Sequence, residues 1–172
     1  LIDLASSELE TMRSHDEKFH NFPGACLSLL KSLQGNNRCV DCGDHDPQWA
    51  TVSYGALLCL QCSGRHRSFG VNNSCVRSIT MDNWTQSEVL SMLEGGNTQL
   101  QEFFARHQLC ENSIDCKGQE QVIINKDNVM QMRYKTKAAL FYRQQLSNHI
   151  SQVMKSGAYR GREASRRSFT IK

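Results

Sequence analysis

Residues 37–67 read NRCVDCGDHDPQWATVSYGALLCLQCSGRHR. Two cysteine pairs stand in this stretch, Cys39-Val40-Asp41-Cys42 and Cys59-Leu60-Gln61-Cys62, with sixteen residues between them. Each pair has the spacing of a metal-binding knuckle. Four thiolates so placed suit the closed tetrahedral shell in which zinc has a structural role. The zinc ion expected at Cys39, Cys42, Cys59 and Cys62 does no chemistry of its own. It braces the chain that leaves Cys62, Ser63-Gly64-Arg65-His66-Arg67, and function is expected on that braced segment.

Outward from the knuckles, the pattern predicts a short sheet among helices. Trp49 to Tyr54 alternates enough for a strand, Gly55 turns the chain, and Ala56-Leu57-Leu58 makes a second strand. The SGRHRSFG run after Cys62 predicts a short helix closed by Gly70, and residues 74–79 a third strand. Ser7 and Glu10 read as a capping box opening a helix to about Phe19. A second helix is expected over 25–34. Thr85 and Glu88 form another capping box before Val89, Leu90, Met92 and Leu93, and Asn97 starts a helix carrying Leu100, Phe103 and Phe104. Residues 108–128 read as polar and irregular apart from Val122-Ile123-Ile124. One long helix over 129–154 closes the fold, with Ala139, Tyr142, Leu146, Ile150 and Val153 as its buried stripe. The expected class is α+β: a small three-stranded sheet with a four-cysteine zinc finger, surrounded by helices. The expected organisation is a helical extension over 1–23, the zinc-finger domain over 24–154 and a basic, disordered tail over 155–172.

Composition narrows the function classes. A length of 172 residues with 39% hydrophobic content fits one domain. The opening LIDLASSELE lacks the basic and apolar runs of a signal peptide, and no stretch approaches a membrane span. A reducing, cytoplasmic setting is expected, with Cys26, Cys75, Cys110 and Cys116 as free thiols. Beginning at Leu1, the chain reads as a piece of something longer. The formal net charge of +3 is uneven: residues 155–172 carry six basic side chains against Glu163, leaving a near-neutral body. Such a body argues against nucleic acid as partner, because phosphate neutralisation dominates that affinity. A DNA-reading zinc module also needs a basic helix and tail directly after the second knuckle, and Ser68-Phe69-Gly70 follows Arg67 here. The basic tail suits contact with anionic lipid.

Read continuously, the residues carry more than a zinc motif. Pro47-Gln48-Trp49, Tyr54-Gly55, Ser63-Gly64-Arg65-His66-Arg67, Val76-Arg77-Ser78 and Met81-Asp82-Asn83-Trp84 accompany the two knuckles. The chain closely resembles the catalytic domain of the Arf GTPase-activating proteins over residues 36–104, and again over 134–146. The YG, SGRHR and RSITMDNW wording is most like the Golgi-associated members. That resemblance implies an activator without an active site of its own, acting on a GTP-bound Arf-family GTPase at Golgi or endosomal membranes. It puts the arginine finger at Arg67, with four residues between it and Cys62. It implies supporting roles for Trp49 and Asp82, the aspartate orienting the finger by pairing with Arg67 or Arg77. Leu60, Arg77 and Met81 join Trp49 as expected partner contacts. An arginine is the right residue for the task, being planar, forked and always charged. His66 is expected to pack or hydrogen-bond the zinc module rather than act as a base, since such GTPases position the attacking water themselves. The sequence departs from the family at Asn72, where histidine is common, and in a longer segment between Phe104 and Tyr134.

Overall fold

The computed structural model describes residues 1–15, 18–109 and 126–167. Cys110, Cys116 and the Val122–Ile124 run lie outside the described residues. The elements in chain order are α1 (Ile2–His15), β1 (Phe19–His20), α2 (Gly24–Ser32), β2 (Trp49–Thr51), β3 (Ala56–Leu58), α3 (Leu60–Ser68), β4 (Val76–Ser78), β5 (Asn83–Trp84), α4 (Gln86–Glu94), α5 (Asn97–Arg106), α6 (Lys126–Tyr134), α7 (Lys137–Lys155) and α8 (Arg162–Arg167). The α+β class is as expected. An antiparallel sheet of order β3-β2-β4 sets Trp49 between Leu58 and Ser78. A two-residue pairing of β1 with β5 lies apart from it.

The expected strand over 49–54 is shorter. It gives way to a 3-10 turn at Val52–Tyr54, which Gly55 closes with a φ of 61°. Glycine is required there because α4 passes so close: a Cβ on Gly55 would lie 2.3 Å from the Ser91 carbonyl oxygen. The turn sends Tyr54 into the core, edge-on to Tyr134 with centroids 4.9 Å apart. On the far side, fully buried Trp84 meets Phe22 edge-on at 4.8 Å.

Three helical expectations are corrected. Helix α1 begins at Ile2, so Ser7 is not its cap, and Phe19 lies in β1. The carboxylate that caps is Glu8, and it caps another helix. Its two oxygens accept from the Ala25 and Cys26 N–H groups, each at 2.9 Å, at the start of α2, where Pro23 offers no side-chain cap. The long helix expected over 129–154 is two helices. Thr136 starts the second by accepting from Ala139 N–H at 3.1 Å, while Tyr134 ends the first fully buried. The stripe of Ala139, Tyr142, Leu146, Ile150 and Val153 is buried along α7 as read.

Residues 155–167 of the tail read as disordered are ordered. Tyr159 is buried and donates its hydroxyl to Glu94 Oε1 at 2.9 Å, and α8 follows. Its order comes from an acceptor on α4, which tail composition cannot show. Capping at α4 holds as expected, with Thr85 and Glu88 bonding reciprocally. A buried asparagine ties the four-cysteine module to the helices. The Asn97 side chain accepts from Leu57 N–H at 2.7 Å and donates to the Arg38 carbonyl at 2.5 Å, and its backbone N–H donates to Asn36 Oδ1 at 2.8 Å. No helix among the described residues is long and apolar enough to cross a membrane.

Candidate functional site

The four knuckle sulfurs converge. Those of Cys39, Cys42, Cys59 and Cys62 lie within 4.8 Å of one another, with Cys42 and Cys59 3.5 Å apart. Four zinc–sulfur bonds of about 2.3 Å require sulfur–sulfur edges of about 3.8 Å, so the cage fits a tetrahedral ion. Crowding drives the thiols apart electrostatically. A hydrogen bond from Cys62 pushes Cys39 down to about 5, and burial pushes Cys42 up to about 11. A cation at the centre removes that conflict by accepting all four as thiolates.

The second knuckle is also the first turn of α3. Cys59 caps the helix, its sulfur accepting from Cys62 N–H at 3.5 Å. Arg65 donates to the Cys62 sulfur at 3.8 Å. From this start, helical period sorts the side chains onto two faces. Cys62, Ser63 and His66 turn inward. Leu60, Gly64 and Arg67 share the outer face at i, i+4 and i+7, and all three are exposed.

His66 is the inward anchor. Its ring is fully buried, with Nε2 2.8 Å from Asp41 Oδ2 and Nδ1 2.7 Å from Ser74 Oγ. The other Asp41 oxygen accepts the Tyr134 hydroxyl at 2.7 Å, with Arg133 at 3.8 Å. Ser74 continues to Thr51 of β2 at 2.8 Å. One connected set of buried polar groups thus joins the first knuckle, α3, the loop before β4, the sheet and α6. Burial, then the neighbouring Asp41 charge, holds the Tyr134 phenol well above its ordinary pKa, so it stays a donor.

Arg67 follows directly, exposed at the surface. Its guanidinium carbon lies 4.7 Å from the centroid of the half-buried Trp49 ring. Trp49 and Arg67 are thus brought together. Leu60 and Met81 are exposed at 67% and 70%. Asp82 does not fill its expected role of pairing with an arginine. Its Oδ2 instead accepts from Ser78 N–H at 2.6 Å, and Trp84 Nε1 donates to the Ser78 carbonyl at 3.1 Å, so Asp82 shapes the turn after β4. Arg77 pairs with Glu88 at 3.0 Å, the same glutamate that completes the α4 cap. Asn72 contributes its carbonyl: Arg143 of α7 donates to it and to the Asn73 carbonyl, holding the loop that follows α3. Arg143, Asp41 and Ser74 were not singled out in sequence. Only Asp41 carries a local signal, an acid inside a knuckle.

The cage, the braced helix and the Arg67–Trp49 pair all lie within one stretch that matches a family model. The model ArfGap, "Putative GTPase activating protein for Arf", matches residues 25–155. The chain belongs to the ArfGap family. It is 48% identical over 83 residues to ADP-ribosylation factor GTPase-activating protein GCS1 of Saccharomyces cerevisiae, covering 48% of this chain and 24% of that protein. It is 35% identical over 125 residues to ADP-ribosylation factor GTPase-activating protein 3 of Pongo abelii, covering 72% of this chain and 21% of that protein. The chain therefore spans about a quarter of these relatives or less. Among solved structures it is similar to a "putative GTPase activating protein for ADP ribosylation factor" from Cryptosporidium parvum. The TM-score is 0.58 at 25% identity, over 73% of this chain and 89% of that one.

Proposed function

We propose that this ArfGap chain accelerates GTP hydrolysis by a GTP-bound Arf-family GTPase. Arg67 is inserted in trans as the finger, and one zinc ion on Cys39, Cys42, Cys59 and Cys62 is a structural staple. The observation that carries the reading is the state of Arg67. Its guanidinium is exposed, yet it stands on a helix whose first turn is the metal cage and whose next inward residue, His66, is bonded at both ring nitrogens.

Charge builds on the oxygens of the transferring phosphoryl group. A guanidinium aimed there donates forked hydrogen bonds that are strongest at the transition state, worth roughly 10³–10⁵ in rate, or about 4–7 kcal/mol. That gain depends on prior positioning. The Trp49 ring keeps the guanidinium extended over the sheet surface rather than mobile in solvent, a contact worth about 0.5–1 kcal/mol at an exposed site. Leu60, Met81 and the open edge of Trp49 supply apolar contact area for the GTPase. Asp82 and Arg77 act through the backbone they hold, at the turn after β4 and at the junction with α4. The nucleophile and the water-positioning group belong to the partner, so the chain is an activator without an active site of its own. Likeness to the Golgi-associated members supports action at the cytoplasmic face of Golgi or endosomal membranes.

The test is single-turnover GTP hydrolysis on several Arf proteins, with and without vesicles, comparing the native chain with Arg67→Lys. Lysine keeps the charge and loses the fork, and stimulation is expected to fall by about 10³. Equal stimulation by both proteins would remove Arg67 from the mechanism. Tight Arf binding with no rate enhancement by the native chain would make it a binding module instead.

A further inference from the structure

Helix α8 turns two arginines, one helical turn apart, onto a single neutral acceptor. Arg162 donates to Gln99 Oε1 at 2.5 Å, and Arg166 donates to the same oxygen. Arg166 also donates to the Glu94 carbonyl at 3.0 Å. Among the described residues no carboxylate comes within 4.0 Å of either guanidinium. Two like charges thus converge without a countercharge at contact distance. Burial, and then the Arg166 charge, push the Arg162 guanidinium below its ordinary pKa. Arg162 Nε is buried and unpartnered. Arg133 and Arg143 also leave Nε unpartnered, but Arg133 has the Asp41 carboxylate nearby and Arg143 donates to two loop carbonyls.

The pair lines an open cleft of about 530 Å³, with Arg106, Tyr142 and Thr98 among the other walls and Glu102 as its one acid. Donors dominate this lining. The Tyr142 hydroxyl accepts from Gln99 Nε2 at 3.1 Å, which leaves its own O–H to donate. Each guanidinium presents five N–H donors, and the contacts above use few of them. Planar donor forks match phosphate oxygens in pairs. The cleft is wider than one phosphate requires and has room for a small ring bearing several.

We propose that Arg162, Arg166, Arg106 and Tyr142 form a binding site for a polyphosphorylated cyclitol, either free or as a lipid headgroup. The site is independent of Arg67 chemistry, and its test uses no GTPase.

The native chain is titrated with inositol hexakisphosphate by calorimetry, and sedimented with phosphatidylcholine vesicles with and without a phosphoinositide. Saturable binding of the soluble probe is expected. Arg162→Gln with Arg166→Gln should weaken it by about tenfold or more. Arg160→Gln with Arg167→Gln removes the same charge outside the cleft and should weaken it by less than about threefold. If the first pair fails to fold, Tyr142→Phe removes a single donor and should weaken binding by a few-fold. Phosphoinositide-dependent sedimentation that the soluble probe competes away identifies the headgroup as ligand; soluble binding without sedimentation identifies the free compound. Absence of saturable binding to both probes overturns the proposal. So does equal weakening by the two charge-matched pairs, or unchanged affinity in Tyr142→Phe.

Discussion

The His66–Asp41 contact makes a quantitative demand on stability. Both side chains are fully buried and meet at 2.8 Å, and His66 makes a second bond of 2.7 Å to Ser74. His66→Ala removes both bonds and leaves the Asp41 carboxylate buried with fewer partners. It also opens the space between Tyr134 and Phe69, whose rings lie 4.4 and 4.9 Å from the imidazole. Breaking a buried pair in this way costs about 3–5 kcal/mol. For a domain of this size each 1 kcal/mol lowers Tm by about 2–4 °C, so a fall of roughly 6–20 °C is expected. Asp41→Asn keeps the volume and weakens only the bonding, at about 1–3 kcal/mol. Denaturant unfolding of the metal-loaded native chain, the two single variants and the double variant closes a cycle. A coupling of about 1.5–3 kcal/mol is expected, well above the roughly 0.5 kcal/mol within which independent sites add. Coupling inside that margin would show the two groups to be neighbours without mutual dependence. A second readout separates brace from fold: at temperatures where His66→Ala is fully folded, Arf stimulation should still fall by roughly tenfold to a hundredfold, since misplacing Arg67 costs rate directly. Full activity in the folded variant would refute the bracing argument even with the coupling intact.

Chelating the metal should abolish near-ultraviolet dichroism and most helical signal, and one equivalent of zinc per chain should restore both; a chain that keeps its fold in chelator would have a stable core without the staple. Glu94 is fully buried, and although burial raises its pKa, hydrogen bonds from His149, Ser165 and Tyr159 outweigh that and hold it below the ordinary carboxylate value. Its stabilisation is therefore complete above the unfolded-state pKa and lost as pH falls through the depressed folded value, so native and Glu94→Gln stabilities, compared by denaturant melts, should differ most near neutrality and converge in acid. Gly64 has open space where a Cβ would stand, so Gly64→Ala should raise stability by about 0.5–1 kcal/mol, whereas Gly64→Leu should leave Tm near native and weaken Arf stimulation by obstructing the face between Leu60 and Arg67.

Much of this molecule is legible locally. The knuckle cysteines, the Thr85–Glu88 cap and the α7 stripe depend on contacts within a few residues, so their spacing reports them. What the sequence conceals is side chains that act across elements. Glu8 caps a helix seventeen residues downstream, Asn97 bonds β3 and the backbone beside the first knuckle, and Glu94 orders a tail about seventy residues away. None of these has a local pattern, because each satisfies backbone or hydroxyl groups that only the tertiary fold brings near. The break at Thr136 was masked by apolar periodicity that runs through both helices, although a threonine before Lys137 and Ala138 is a permissible cap. Asp82 is the reverse case, a residue whose place is legible and whose partner is not. A carboxylate near two arginines invites an ion pair, but the Ser78 N–H is closer along the chain and needs an acceptor at the end of β4.

Helix α3 shows why the cage and Arg67 belong together. Nine residues cannot hold a helix in water on their own propensity, and this one contains a glycine in its interior. Its inward face supplies the missing stability in two steps: the cage holds the first turn through Cys59 and Cys62, and His66 fastens the next through Asp41 and Ser74. Every inward position on those turns is thereby committed, which leaves the outward row of Leu60, Gly64 and Arg67 free of structural duty. A partner can approach that row without disturbing the core, and the core cannot relax without moving the row. The placement of the Arg67 backbone therefore derives from residues one and five positions before it, and substitutions at the cage or at His66 should be felt along the whole outward row.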